Sequence, residues 1–229
     1  MKLPYSIPKQ LLVICTGLLI SIPSQASIHR IKTKEKVVAL SFDDGPNPPY
    51  TEQLLKILKD KQVHATFFLI GKQIEAHPKT AKKILAAGFE IGGHSYDWAM
   101  LAFKRKSFVI SQLDKMDVAF KSIGITNLVL FRPPNGFLSF GQEKILRKRN
   151  LTVISASVIA YDWKETDANK IAKTVLKKVR PGSIIALHDG GGNRSATLTA
   201  VPQIIKALRQ KGYKILSVGE LISLKKKNL

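Results

Sequence analysis

Short apolar runs alternate with amphipathic helical stretches along almost the whole chain, and this alternation constrains the fold more than any other feature. The runs are Val37–Phe42, Ala65–Leu69, Phe89–Ile91, Leu128–Phe131, Thr152–Ser157, Ser183–Leu187 and Tyr213–Leu216. Between them lie Glu52–Lys61, Lys79–Ala87, Ser107–Ile123, Gln142–Lys148, Ala168–Lys178 and Val201–Lys211, where apolar residues recur at helical spacing. In the first of these, Leu54, Leu55 and Leu58 share one face and lysines fall between them. Gly88, Gly124 and Gly212 stand where helix C-caps belong. Strands that are continuously apolar are covered on both faces, so the pattern predicts a parallel sheet overlaid by helices. Asp43-Asp44, His94, Arg132, Asp162 and His188 each follow a β run. In a βα barrel the C-terminal strand ends ring one mouth and these residues converge, whereas an open sheet leaves some of them far apart. The expected fold is therefore α/β: a distorted (β/α) barrel of about seven parallel strands in a single domain.

The ends of the chain read differently from its middle. Lys2 and Lys9 precede an uncharged, mostly apolar run, Leu11 to Ile22, and Ser24-Gln25-Ala26 then supplies small residues at the first and third positions. This is the pattern of a signal peptide removed after Ala26. The run is shorter than the roughly 20 apolar residues of a membrane span, so no permanent span is expected. The predicted organisation is residues 1–26 as leader, 27–35 as an N-terminal tail, 36–221 as the catalytic domain and 222–229 as a basic C-terminal tail. The location implied is secreted or periplasmic. Cys15, the only cysteine, leaves with the leader, so disulfides, thiolate metal ligands and a Cys nucleophile are all excluded from the mature chain. The formal charge of +21 favours polyanionic partners, anionic cell-wall polymers among them. Nucleic acid is not expected, because the lysines are spread along the chain without a basic stripe interleaved with aromatics.

The convergent set holds three carboxylates, two histidines, an arginine and a Gly-rich turn. There is no G-x-S-x-G elbow, no thiol after residue 26 and no phosphate loop. What remains is attack by water, assisted by metal or by acid–base groups. A carboxylate and an imidazole can hold a divalent cation, a second carboxylate can take a proton from water, and a second imidazole can give one to a leaving group. Asp43 and Asp44 point to opposite sides of an extended chain, so each can play a different part.

Taken in order, SFDDGP (41–46), GGHSYDW (92–98), RPPNG (132–136), YDW (161–163) and IALHDGGG (185–192) resemble the motifs of the polysaccharide deacetylase (NodB-homology) family, carbohydrate esterase family 4. The resemblance runs from about Lys36 to Leu221. It implies removal of acetate from N-acetylated sugar units of a glycan, either chitin-like oligomers or peptidoglycan. By position, it implies Asp43 as general base, Arg132 orienting that base, His188 as general acid and Asp162 tuning His188. It further implies Asp44 and His94 as metal ligands, the Asn135 backbone N–H as an oxyanion donor, Trp163 as an aromatic wall of the acetyl pocket and Ile185 as the apolar contact to the substrate. The implied cofactor is a divalent metal, zinc first.

One departure stands out. The family's second motif usually ends in a further metal-binding His, and Trp98 occupies that position here. Indole offers no lone pair to a cation. Asp97 is the nearest substitute. Three outcomes are open: a weaker site completed by water, a metal completed by the substrate, or a protein without metal. A non-catalytic glycan- or cell-wall-binding protein on the same scaffold is the alternative to an enzyme, and a hydrolase of another C–N bond is a third reading. Ile159 also stands where relatives often carry an acid.

Overall fold

The computed structural model describes residues 27–227; the expected leader, residues 1–26, lies outside the described residues. The elements are β1 (Val37–Asp43), α1 (Tyr50–Asp60), β2 (Thr66–Leu69), α2 (Gly71–Ala76), α3 (Pro78–Ala86), β3 (Glu90–Gly93), α4 (Lys106–Ser122), β4 (Leu130–Phe131), α5 (Phe140–Lys148), β5 (Thr152–Val153), β6 (Val158–Ile159), α6 (Ala168–Lys178), β7 (Ser183–His188), α7 (Ser195–Gln210), β8 (Lys214–Leu216) and α8 (Val218–Lys227). Neighbouring strands run in the order β5-β4-β3-β2-β1-β7-β6, every pair parallel. β7 pairs with β1 along nearly all its length. The other edge of β1 is shared, with β8 opposite Val37–Ala39 and β2 opposite Ser41–Asp43.

Seven parallel strands thus form a curled half-barrel, as the alternation predicts. The curl is not closed by a ladder between β5 and β6 among the described residues. Segment 28–31 enters that gap instead. Ile28 bridges Ile154 of the β5 side, and Arg30 bridges Ser183 at the start of β7. The expected run Thr152–Ser157 is a correction to the sequence reading: only Thr152 and Val153 pair with β4, and the chain then steps across Ser155-Ala156-Ser157 to begin β6 on β7. No helix separates β5 from β6, so the alternation fails there.

Residue parity along β1 explains how the sheet buries apolar side chains and still presents a polar site. Val38, Leu40 and Phe42 point outward into the main core, against Leu54 and Leu58 of α1 and Val201, Ile204 and Leu208 of α7. Val37 and Ala39 point into the curl. There they join Phe68, Leu130, Ile154 and Ile184 in a second cluster, closed from below by Val218 and Leu221 of α8. That cluster plugs one end of the half-barrel. The next two inward positions of β1 are Ser41 and Asp43, so the lumen turns from apolar to polar towards the C-terminal mouth. α8 crosses residue 222 and runs on to Lys227, with Ile222 and Leu224 packed against the plug.

Candidate active site

β1 and β7 deliver two of the reactive side chains side by side, because Asp43 and His188 are register partners at the ends of adjacent parallel strands. Both line a cleft of about 570 Å³ at the mouth, together with Asp44, His94, Arg132, Asn135 and Trp163. The convergence expected from strand ends is therefore present.

On one side, buried Arg132 reaches down into the lumen. Its Nη1 donates to Asp43 Oδ1 at 2.6 Å and to Ser41 Oγ at 2.8 Å, while its guanidinium lies 4.1 Å over the Phe68 ring. Ser41 in turn donates to the Ile185 carbonyl. The arginine is fixed from three directions, and so is one oxygen of Asp43. Among the described residues no hydrogen bond engages Asp43 Oδ2.

On the other side, the buried Asp162 carboxylate accepts from His188 Nδ1 at 2.8 Å, from the His188 backbone N–H at 2.8 Å and from Thr197 Oγ1 at 2.8 Å. With Nδ1 so engaged, Nε2 is the nitrogen left to act, 4.0 Å from Asp44 Oδ2. Trp163 stands edge-on to the imidazole at 4.9 Å. Burial alone would lower the pKa of His188. The Asp162 hydrogen bond, with the charges of Asp162, Asp43 and Asp44, outweighs it and holds the imidazole above the ordinary histidine value.

Asp44 adopts a left-handed backbone, φ 76°, at the strand-to-loop turn. Gly190 packs so tightly beneath it that an added Cβ would lie 1.9 Å from the Asp44 carbonyl oxygen. The Gly-rich loop is therefore closely fitted, and buried Arg194 ties it by donating to the Gly190 and Gly191 carbonyls at 2.5 and 2.7 Å. Burial of Asp44 raises its pKa, but hydrogen bonding to His94, the charges of His94 and His188 and the Trp98 N–H together bring it below the usual carboxylate range.

His94 has the posture of a metal ligand. Nδ1 donates to the Arg132 carbonyl at 2.7 Å, which leaves Nε2 facing Asp44 Oδ1 at 3.3 Å. The third side of the pair is different. Trp98 Nε1 donates to the same Asp44 Oδ1 at 2.6 Å, so a hydrogen, not a lone pair, occupies the place of a third ligand. Asp97 does not turn inward; it is exposed and accepts from the Ala99 N–H. Among the described residues no group of three His, Cys, Asp or Glu side chains could hold a metal ion. Catalytic zinc takes three protein ligands. Asp44 and His94 could supply two, and the residues present do not complete such a site.

Two further placements differ from expectation or were not foreseen. Ile185 does not reach the cleft to serve as its apolar contact. Parity along β7 points it outward into the main core, and Ala186 and Ile159 line the cleft in its place. Asp189, buried beneath the turn, accepts from Thr51 Oγ1 at 2.6 Å through Oδ2, and Oδ1 has no partner among the described residues. Burial pushes its pKa up to about 7; the Thr51 hydrogen bond opposes this, and the Asp44 and Asp43 charges add to it. Asn135 lines the cleft, with a left-handed φ of 61°.

A curled parallel sheet with a carboxylate–arginine pair and a carboxylate–histidine pair facing one cleft defines an α/β protein with a candidate acid–base site. The chain belongs to the polysaccharide deacetylase family, whose sequence profile matches residues 30–154, more than half its length. A peptidoglycan-N-acetylglucosamine deacetylase of Bacillus cereus is 33% identical over 198 residues, spanning 85% of this chain and 92% of that one. A carbohydrate esterase family 4 pseudoenzyme from Bacillus anthracis superposes with a TM-score of 0.81 at 29% identity, covering 87% of this chain and 69% of the other. A mutant of that pseudoenzyme is described as having restored enzymatic activity. A family 4 acetyl xylan esterase of Clostridium thermocellum, in complex with a cobalt ion, superposes at TM-score 0.74 with 30% identity, over 82% of this chain and 91% of the esterase. The fold thus occurs both in active deacetylases and in a pseudoenzyme.

Proposed function

We propose that this cleft hydrolyses the acetamide of an N-acetylated sugar unit in a glycan of the peptidoglycan or chitin-oligomer class. The observation that carries the reading is the pair of oriented groups on adjacent strands: Asp43 held by Arg132, and His188 held by Asp162. Asp43 takes a proton from water, whose oxygen adds to the acetyl carbonyl carbon. The charge that develops on the carbonyl oxygen is met by the Asn135 backbone N–H; losing one such donor costs roughly 100- to 1,000-fold in other enzymes. Collapse of the adduct expels the amine, which takes its proton from His188 Nε2, giving acetate and a free amino sugar. Trp163 forms one wall for the acetyl methyl. The leader-like N-terminus supports a secreted or periplasmic site of action, and the charge of +21 supports attraction to anionic wall polymers.

Trp98 favours a second reading, in which the cleft binds the acetylated sugar without cleaving it. Its N–H neutralises part of the Asp44 charge where relatives place a ligand. The two readings separate in one experiment. Purified protein is incubated with N-acetylglucosamine oligomers and with peptidoglycan, and mass spectrometry follows the loss of acetyl groups. Acetyl loss that disappears in His188→Ala supports hydrolysis. Saturable binding with no acetyl loss supports the second reading.

A further inference from the structure

Two phenylalanines beside the cleft are more exposed than side chains of their kind usually are. Phe103 is 80% exposed and Phe137 is 52% exposed, and their rings meet at a centroid distance of 5.7 Å, tilted by 43°. Phe103 also holds a left-handed backbone, φ 61°, which is a rare conformation for a bulky residue. A chain that keeps an aromatic ring in solvent on a strained backbone has that strain offset elsewhere, and such outliers gather at binding sites. Here one buried side chain does the holding. Gln142 donates through Nε2 to the Leu101 carbonyl and, at 3.2 Å, to the Lys104 carbonyl, on either side of Phe103. Its Oε1 accepts from the Ser139 N–H at 2.9 Å in the capping box that starts α5, two residues after Phe137. The loop carrying Phe103 and the segment carrying Phe137 are thus clamped to one another.

Both segments lead directly into the cleft. Gly136, next to Phe137, lines it, and Trp98, at the start of the Phe103 loop, lines it too, with exposed Met100 between. The pair thus stands on two segments that each contribute a residue to the cleft wall, Phe137 directly beside Gly136 in the chain. A polymeric glycan whose one unit occupies the cleft must lay its neighbouring units on the rim. A pyranose presents a face of axial C–H groups, which packs on an aromatic face, while its hydroxyls stay in water. A fixed, half-open aromatic pair beside a sugar site offers that contact, and contiguous exposed apolar surface rimming a cleft marks ligand contact.

We infer that the Phe103–Phe137 pair is a sugar-stacking subsite that takes a neighbouring unit of the glycan chain and sets a preference for oligomers over single sugars. This rests on the glycan reading of the cleft. The test is calorimetric titration of the native chain, Phe103→Ala, Phe137→Ala and Phe103→Trp with N-acetylglucosamine and with its tetramer. Ligand recovered afterwards is checked by mass spectrometry for intact acetyl groups. The native chain is expected to bind the tetramer more tightly than the monosaccharide, and each Ala variant to lose about tenfold in tetramer affinity with the monosaccharide unchanged. Phe103→Trp retains the preference. Both side chains lie largely outside the core, so the Ala variants keep the native melting temperature to within a few degrees. Tetramer binding unchanged in both Ala variants overturns the subsite and leaves the cleft reading standing. Equal weakening of both ligands overturns it as well, since the pair would then only shape the cleft. A native chain that binds neither ligand overturns the cleft reading and the subsite with it.

Discussion

Replacing Trp98 with His tests how the indole governs this site. The substitution removes a hydrogen bond from Nε1 to Asp44 Oδ1 at 2.6 Å and puts an imidazole beside Asp44 and His94. Position 98 has φ 66°, a left-handed conformation that histidine adopts more readily than tryptophan. Hydrogen bonds to charged groups contribute about 1.5–3 kcal/mol when buried. Trp98 is 43% exposed, which lowers its share to about 1 kcal/mol. At about 2–4 °C per kcal/mol for a chain of this size, metal-free Trp98→His melts a few degrees below the native protein. Zinc then reverses the order. A site that binds only the folded state, supplied with cation at about 100 times its Kd, gains about 2.7 kcal/mol, or roughly 5–10 °C. The assay is differential scanning calorimetry with and without zinc, paired with elemental analysis after gel filtration. Trp98→His retains about one zinc per chain and shows the rise, while the native chain shows neither. A native chain that carries one tightly held zinc, with a thermal rise equal to the variant's, refutes the reasoning that the indole N–H takes a ligand's place.

Two predictions concern protons. Asp162→Asn removes the largest interaction raising the His188 pKa, so the alkaline limb of the pH–rate profile, where the protonated imidazole is lost, moves to lower pH. A limb that stays in place excludes His188 as the acid. Asp189 titrates near 7 when folded against 3.8 in the unfolded chain, so between those values the folded state binds the extra proton and stability falls as pH rises. Three pK units correspond to at most about 4 kcal/mol. Asp189→Asn cannot ionise. Its stability relative to the native protein therefore improves from pH 4 to pH 8 in denaturant titrations, and a difference that is flat across that window contradicts the assignment.

Sequence patterning carried most of the architecture because strands buried on both faces must be apolar along most of their length, as β1 and β7 are. It failed where elements are too short to have a period. β5 and β6 are two residues long each, and β6 begins directly after the run Thr152–Ser157 with no Gly or Pro between, so the step from one strand to the next has no punctuation in the sequence. α8 was hidden by its lysines: Val218, Leu221, Ile222 and Leu224 pack inward, while Lys225–Lys227 give the segment the look of a tail. The reactive residues were legible because strand ends in a curled parallel sheet must meet. Ile185 was misplaced by one residue, although strand parity with His188 selects Ala186 for the cleft. The Trp98–Asp44 contact was not legible at all. It depends on left-handed backbone at Asp44, Ser95 and Trp98 and on the path of an irregular loop, which no periodic pattern encodes.

The proposed chemistry depends most on Asp43, held at 2.6 Å by Arg132 across the cleft floor. Its most direct test is acetate released from N-acetylglucosamine oligomers and from peptidoglycan, by native protein and by Asp43→Asn, with folding matched by circular dichroism. Acetate from the native chain that falls at least 100-fold in the variant is the predicted result. Equal release by both proteins, or no release by a native chain that binds the same glycans, contradicts it.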